Sequence, residues 1–122
     1  MSTILFVEDE RNLQKTFRDL LENEGYEVIS ALNGEEGFKK AKEENPDLIL
    51  LDLILPKLHG FKVLKKLKAK EEIKDIPVII LTNLEGTDDV QKALEMGVTT
   101  YLVKSDYKLD EVLNKIEKSL ED

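Results

Sequence analysis

Apolar residues gather in short unbroken runs at 4–7, 49–51, 78–81 and 101–103, and each run leads at once into polar side chains. A run of that length without alternation marks a strand covered on both faces. The pattern predicts strands over 3–7, 48–51, 78–81 and 100–103, with a looser alternation over 26–31 that suits an edge strand. Between them the period changes. Leu13, Phe17, Leu20 and Leu21 form the stripe of a helix over 12–23 that lays one face on a sheet, and Gly25 stops it. Asn33-Gly34 turns the chain into a helix over 35–44 with a small inward stripe of Gly37, Phe38 and Ala41. Asn45-Pro46 ends that helix, because a residue before proline avoids helical geometry. A third helix over 60–70 is apolar at Phe61, Leu64 and Leu67, while its lysines form a solvated face with apolar stems on the core. A helix over 87–96 buries Val90, Ala93 and Leu94, and a last one over 109–120 carries Leu109, Val112, Leu113, Ile116 and Leu120.

Five strands alternating with five helices imply an α/β fold: a parallel sheet with helices on two faces and right-handed crossovers, three layers in all. All strands then point one way, their carboxyl ends share one edge, and ligands bind in the crevice at that edge.

Composition narrows the rest. A chain of 122 residues fits one compact domain, 1–122. The formal net charge of −8 repels nucleic acid and anionic membranes, so neither is expected as a direct partner. Without cysteine, disulfides, thiolate chemistry and cysteine metal sites are excluded. Met1 leads almost directly into the first strand with no secretory or membrane pattern, which makes a cytoplasmic location the expectation. With nothing after Asp122, the chain acts alone or is a piece of something longer.

The polar residues beyond the strands carry the chemistry. Glu8, Asp9 and Asp52 bring three carboxylates to neighbouring strand ends, where their repulsion requires a cation. Oxygen ligands alone select a hard divalent ion, and Mg²⁺ fits best. Lys104 and the Thr82 hydroxyl end the other two buried strands and can bond an anionic group attached to a carboxylate. Together they make a phosphoryl-transfer site in which an aspartate is the nucleophile. Each residue singly has a plainer reading: a helix or loop cap for Glu8, Asp9 or Asp52, a turn residue for Thr82, a surface lysine for Lys104. Their common place, just past the strand ends, favours the site.

Val7-Glu8-Asp9-Glu10, Leu51-Asp52-Leu53-Ile54-Leu55-Pro56 with Gly60, Leu81-Thr82 and Tyr101-Leu102-Val103-Lys104 span the whole chain and resemble the receiver domains of two-component response regulators. The resemblance implies a flavodoxin-like strand order 2-1-3-4-5. It implies that a histidine kinase or phosphotransfer protein phosphorylates Asp52, and that Mg²⁺ is held by Glu8 or Asp9, by Asp52 and by the backbone carbonyl of Ile54. Lys104 then contacts the phosphoryl oxygens, Thr82 moves toward them, and Tyr101 turns inward. The output face surrounds the helix over 87–96, the strand over 100–103 and the last helix, and it allows a phosphorylation-dependent homodimer. A half-buried sheet tyrosine is the plainer reading of Tyr101.

The chain departs from that family at three places. Asn83 stands where a small residue is usual, Ser105 where proline follows the lysine, and His59, the sole histidine, where an acid is common. His59 is expected to be a surface residue at a helix start. Bulky Ile54 and Leu84 are expected to shield an acyl phosphate and slow its hydrolysis. Two other classes compete. An aspartate-nucleophile phosphatase typically has a second acid two residues after the nucleophile, where Ile54 stands; a phosphorylation-independent interaction module would keep only the fold.

Overall fold

The computed structural model describes residues 2–121; Met1 and Asp122, the ends of the expected domain, lie outside the described residues. The elements follow in strict alternation: β1 (Thr3–Val7), α1 (Arg11–Asn23), β2 (Glu27–Ala31), α2 (Gly34–Glu44), β3 (Leu48–Leu51), α3 (Gly60–Lys68), β4 (Val78–Thr82), α4 (Thr87–Glu95), β5 (Thr100–Val103) and α5 (Leu109–Leu120). All pairings are parallel and the order is β2-β1-β3-β4-β5, the flavodoxin-like arrangement. Successive strand residues face opposite sides, so each run feeds two cores. Ile4, Phe6, Leu48, Leu50, Ile79 and Leu81 pack with Phe17 and Leu21 of α1 and Val112 and Ile116 of α5. On the other face Leu5, Val7, Ile49, Leu51 and Ile80 pack with Ala41 of α2, Val63, Leu64 and Leu67 of α3 and Ala93 of α4.

The edge position of β2 holds, and its backbone is covered. Arg18 of α1 donates to the Val28 carbonyl at 3.0 Å, and Lys40 of α2 donates to the Ser30 carbonyl at 2.7 Å. Cations there satisfy acceptors that an edge leaves open.

Several expectations change. In α4 only Ala93 is buried; Val90 is half-buried and Leu94 is 51% exposed, because the short helix touches the sheet along a narrow line. Leu109, read as part of the inward stripe of α5, is 40% exposed at that helix's first residue. Val63 joins the buried face of α3, while Phe61 is half-buried. The helix α3 stops at Lys68 rather than 70, and β4 runs one residue further, to Thr82. Asn45 ends α2 in the left-handed region, φ 46°, so its own tolerance of that conformation terminates the helix rather than a shift to extended backbone before Pro46. A 3₁₀ turn over Lys104–Asp106 has no counterpart in the apolar pattern.

Candidate functional site

Register brings the polar residues together. Val7 pairs with Leu51, so Glu8 and Asp52 leave adjacent strands side by side, and the Asp52 N–H continues the ladder to the Val7 carbonyl at 3.0 Å. Leu51 pairs with Ile80, and Thr82 pairs with Val103, which brings Thr82 and Lys104 to the same edge. Glu8, Asp52 and Thr82 are buried and Asp9 is exposed. One carboxylate oxygen from each of Glu8, Asp9 and Asp52 lies within 4.8 Å of the others.

The two buried carboxylates are already oriented. Asp52 Oδ1 accepts from the Ile54 N–H at 3.1 Å, and its Oδ2 accepts from Lys104 Nζ at 2.8 Å. Glu8 Oε2 accepts from the Glu10 N–H at 3.0 Å. The Lys104 ammonium also forms an ion pair with Glu8 Oε1, so it bridges the two buried carboxylates. Burial pushes the Glu8 carboxyl up to about 7 against the pull of Lys104. Burial lowers the Lys104 ammonium, yet its bonds to Asp52 and Glu8 outweigh that and hold it above its ordinary range. With all three acids ionised, as cation binding requires, one ammonium leaves two negative charges in excess. A hard divalent cation cancels that excess, and the all-oxygen donor set of Glu8, Asp9 and Asp52 fits Mg²⁺.

The loop after Asp52 is pinned by two glycines. A Cβ on Gly60 would meet the backbone of Asp52 and Leu53, and one on Gly34 would meet the Leu58 carbonyl. Gly60 N–H closes the loop onto the Leu53 carbonyl at 2.9 Å. In this loop Lys57 takes φ 68°, left-handed without being glycine, and the Ile54 side chain is 50% exposed.

Thr82 and Tyr101 meet at one residue. The Leu84 N–H donates to Thr82 Oγ1 at 3.4 Å, and the Tyr101 hydroxyl donates to the Leu84 carbonyl at 2.7 Å. Tyr101 is half-buried, and burial followed by the charges of Asp89 and Asp52 pushes its phenol up to about 12. The departures resolve simply. Asn83 is exposed; His59 is exposed, caps α3 by accepting from the Phe61 N–H at 3.2 Å and stacks on Phe61; Ser105 lies in the 3₁₀ turn, and no cis peptide occurs among the described residues.

One buried polar residue escaped the sequence pattern. Gln14 was hidden because Leu13 seemed to define the stripe of α1, whereas the buried positions are Gln14, Phe17 and Leu21. The spacing of three and seven from Gln14 to those two apolar residues was the available signal.

A family model of the response regulator receiver domain matches residues 4–117. The probable transcriptional regulator ycf27 of Porphyridium aerugineum is 35% identical over 122 residues, 95% of this chain but 50% of that protein, so the chain spans about half the length of this relative. The polar-differentiation response regulator DivK of Brucella anthropi is 40% identical over 102 residues, 84% of this chain and 83% of that one. The crystal structure of the receiver domain of sensor histidine kinase PA1611 from Pseudomonas aeruginosa, with a magnesium ion coordinated in its active-site cleft, matches with a TM-score of 0.87 and 28% identity over 98% of this chain and 97% of that chain.

Proposed function

The chain belongs to the response regulator receiver domain family, and on that premise we propose that residues 1–122 form one receiver whose switch is thrown by phosphorylation of Asp52. The observation that carries this reading is the Lys104 ammonium 2.8 Å from Asp52 Oδ2, inside a cluster of three carboxylates at the carboxyl edge of the sheet. An Asp52 oxygen attacks the phosphorus of a phosphohistidine on a sensor kinase or phosphotransfer protein. The P–N bond breaks, the imidazole leaves with its electron pair, and an acyl phosphate forms. Lys104 transfers its contact from the carboxylate to a phosphoryl oxygen. Glu8, Asp9, Asp52 and the Ile54 carbonyl would hold Mg²⁺, which supplies neutralisation of the developing charge. The receiver catalyses its own phosphoryl transfer and slow dephosphorylation, and it is not an enzyme toward external substrates; Ile54 in place of a second acid supports this.

The new phosphoryl oxygens draw the Thr82 hydroxyl, which releases the Leu84 N–H, and Tyr101 follows because its hydroxyl is bonded to the same residue. The output face is built from α4, β5 and α5, and the exposed Leu94 and Leu109 supply apolar surface there for a protein target or a second copy of the chain. The half-exposed Ile54 and the core-packed Leu84 shield the acyl phosphate. No described helix is long and apolar enough to cross a membrane, and a cytoplasmic site of action is part of the proposal.

Incubation with Mg²⁺ and a small phosphodonor, followed by mass measurement, tests this reading. A mass gain of one phosphoryl group that disappears in Asp52→Asn is expected. Rapid phosphate release without accumulation would transfer the site to the phosphatase class, and no change would leave an interaction module.

A further inference from the structure

The side chain of Gln14 lies beneath the acid cluster, 5% exposed, and its Nε2 sits 2.9 Å from the Phe6 carbonyl, 3.1 Å from the Glu8 carbonyl and 2.9 Å from the Ala31 carbonyl. Phe6 lies in β1, Glu8 just follows it and Ala31 ends β2, and the two protons of one carboxamide nitrogen are shared among these three carbonyls. Its own Oε1 is buried without a partner, so the residue is oriented entirely by what its nitrogen donates to. The Glu8 carbonyl and the Asp9 N–H belong to one rigid peptide plane. Fixing that carbonyl sets the plane from which Asp9 projects into solvent. On the other side, the Glu8 N–H is held to the Ala31 carbonyl at 2.9 Å, so the Glu8 backbone is clamped at both ends.

We infer that Gln14 is a positioning residue: it clamps the turn that presents Glu8 and Asp9, and so sets the affinity of the acid cluster for a divalent cation. The inference rests on the receiver reading of that cluster. Groups that orient ligands without touching the ion commonly change metal affinity about 10- to 100-fold when removed. Gln14→Met keeps the length of the side chain and removes the donor.

Magnesium titration of the folded protein by calorimetry is the measurement, with thermal melting in EDTA alongside. Gln14→Met is expected to weaken Mg²⁺ binding at least about tenfold at a temperature where it is fully folded. A variant that melts earlier yet binds Mg²⁺ within about threefold of the native protein would overturn the inference, since that is a packing role alone. If Gln14→Met does not fold, the native protein decides the matter by ¹⁵N NMR: the Gln14 carboxamide protons should exchange slowly and shift on Mg²⁺ addition, and free exchange or silence overturns it. A native protein that binds no Mg²⁺ at all refutes the receiver reading instead, which keeps the two failures apart.

Discussion

The two ends of the sheet are built from the same five strands and hold them by different means. At the amino end the chain is tied by backbone to backbone: Glu27 N–H to the Ser2 carbonyl, Asp47 N–H to Thr3, Ile49 N–H to Pro77 and Thr99 N–H to Val78, at 2.8 to 3.0 Å. Side chains add the Thr3 N–H bond to Asp47 Oδ2 at 2.7 Å and the Lys68 ammonium bond to the Lys74 carbonyl at 3.0 Å. At the carboxyl end stand Glu8, Gln14, Asp52 and Thr82, the buried polar residues of the described chain. Crowded acids in such a place oppose folding even with Lys104 between them, since desolvation disfavours their charge and their mutual repulsion adds to it. The middle and amino end therefore supply stability, while the carboxyl end gathers the buried charge on which the proposed function rests.

The largest test of this division removes stability without touching the edge. Leu50 is fully buried at the centre of the middle strand, between Phe6 and Ile79. Leu50→Ala should cost about 3 to 5 kcal/mol, seen as a lower denaturant midpoint. The Mg²⁺ affinity of the fraction that remains folded should be unchanged; a parallel loss of affinity would mean that the two regions are not separable.

Metal removal gives the next effect, with the opposite partition. A ligand present at a hundredfold its Kd and bound only by the folded state stabilises by about 2.7 kcal/mol. The native protein should gain about that much between EDTA and saturating Mg²⁺, and Asp9→Asn should lose most of the gain. In EDTA the same variant should melt slightly higher than the native protein, because one of three crowded carboxylates is gone. Equal responses to Mg²⁺ in both proteins would remove Asp9 from the cluster's chemistry.

Tyr101 tests the junction between β5 and the loop that leads from β4 to α4. Loss of its 2.7 Å bond in Tyr101→Phe leaves the Leu84 carbonyl without that donor and should cost about 1 kcal/mol at neutral pH. The phenol ordinarily titrates near 10.0 and in the fold near 12, because burial and then the charges of Asp89 and Asp52 disfavour the phenolate. The stability tied to the protonated form is thus fully present below pH 10 and is lost as pH rises through 12. The native protein should therefore lose its advantage over Tyr101→Phe across that interval in thermal melts. A stability difference that stays constant with pH would contradict a phenol held protonated by its surroundings.

How much of this could be read from the sequence follows the same division. The strands were legible because a parallel sheet covered on both faces demands unbroken apolar runs, and Asp52 was legible because it interrupts one. Glu8, Asp9, Thr82 and Lys104 were placed by following the strands to their ends, and the structure brings the three acids and the lysine into one cluster. Gln14 was not legible as a clamp, since polarity normally marks the solvent side of a helix and its partners are backbone carbonyls that no side-chain pattern records. Leu94 and Val90 were misjudged for a related reason. Periodicity states which residues share a face, but the width of the contact between α4 and the sheet decides how many of them are covered. The junction of Thr82 and Tyr101 at Leu84 depends on loop backbone, which apolar spacing does not encode.

The smallest effect separates the two ends by their turns. Each end has a left-handed residue without being glycine: Asn45, φ 46°, where α2 leads toward the amino end of β3, and Lys57, φ 68°, in the loop beyond Asp52. Asparagine tolerates that conformation because its short polar side chain bonds locally, whereas lysine meets the full clash of its Cβ, about 1 kcal/mol. Glycine relieves the clash and gives back part of the gain through greater freedom in the unfolded chain. Lys57→Gly should therefore stabilise by a few tenths of a kcal/mol, up to about 1, while Asn45→Gly should change little or destabilise. Urea midpoints at unchanged slope resolve such differences. A gain at 45 equal to that at 57 would show that strain is shared between the ends; a gain confined to 57 would locate it in the loop that follows Asp52.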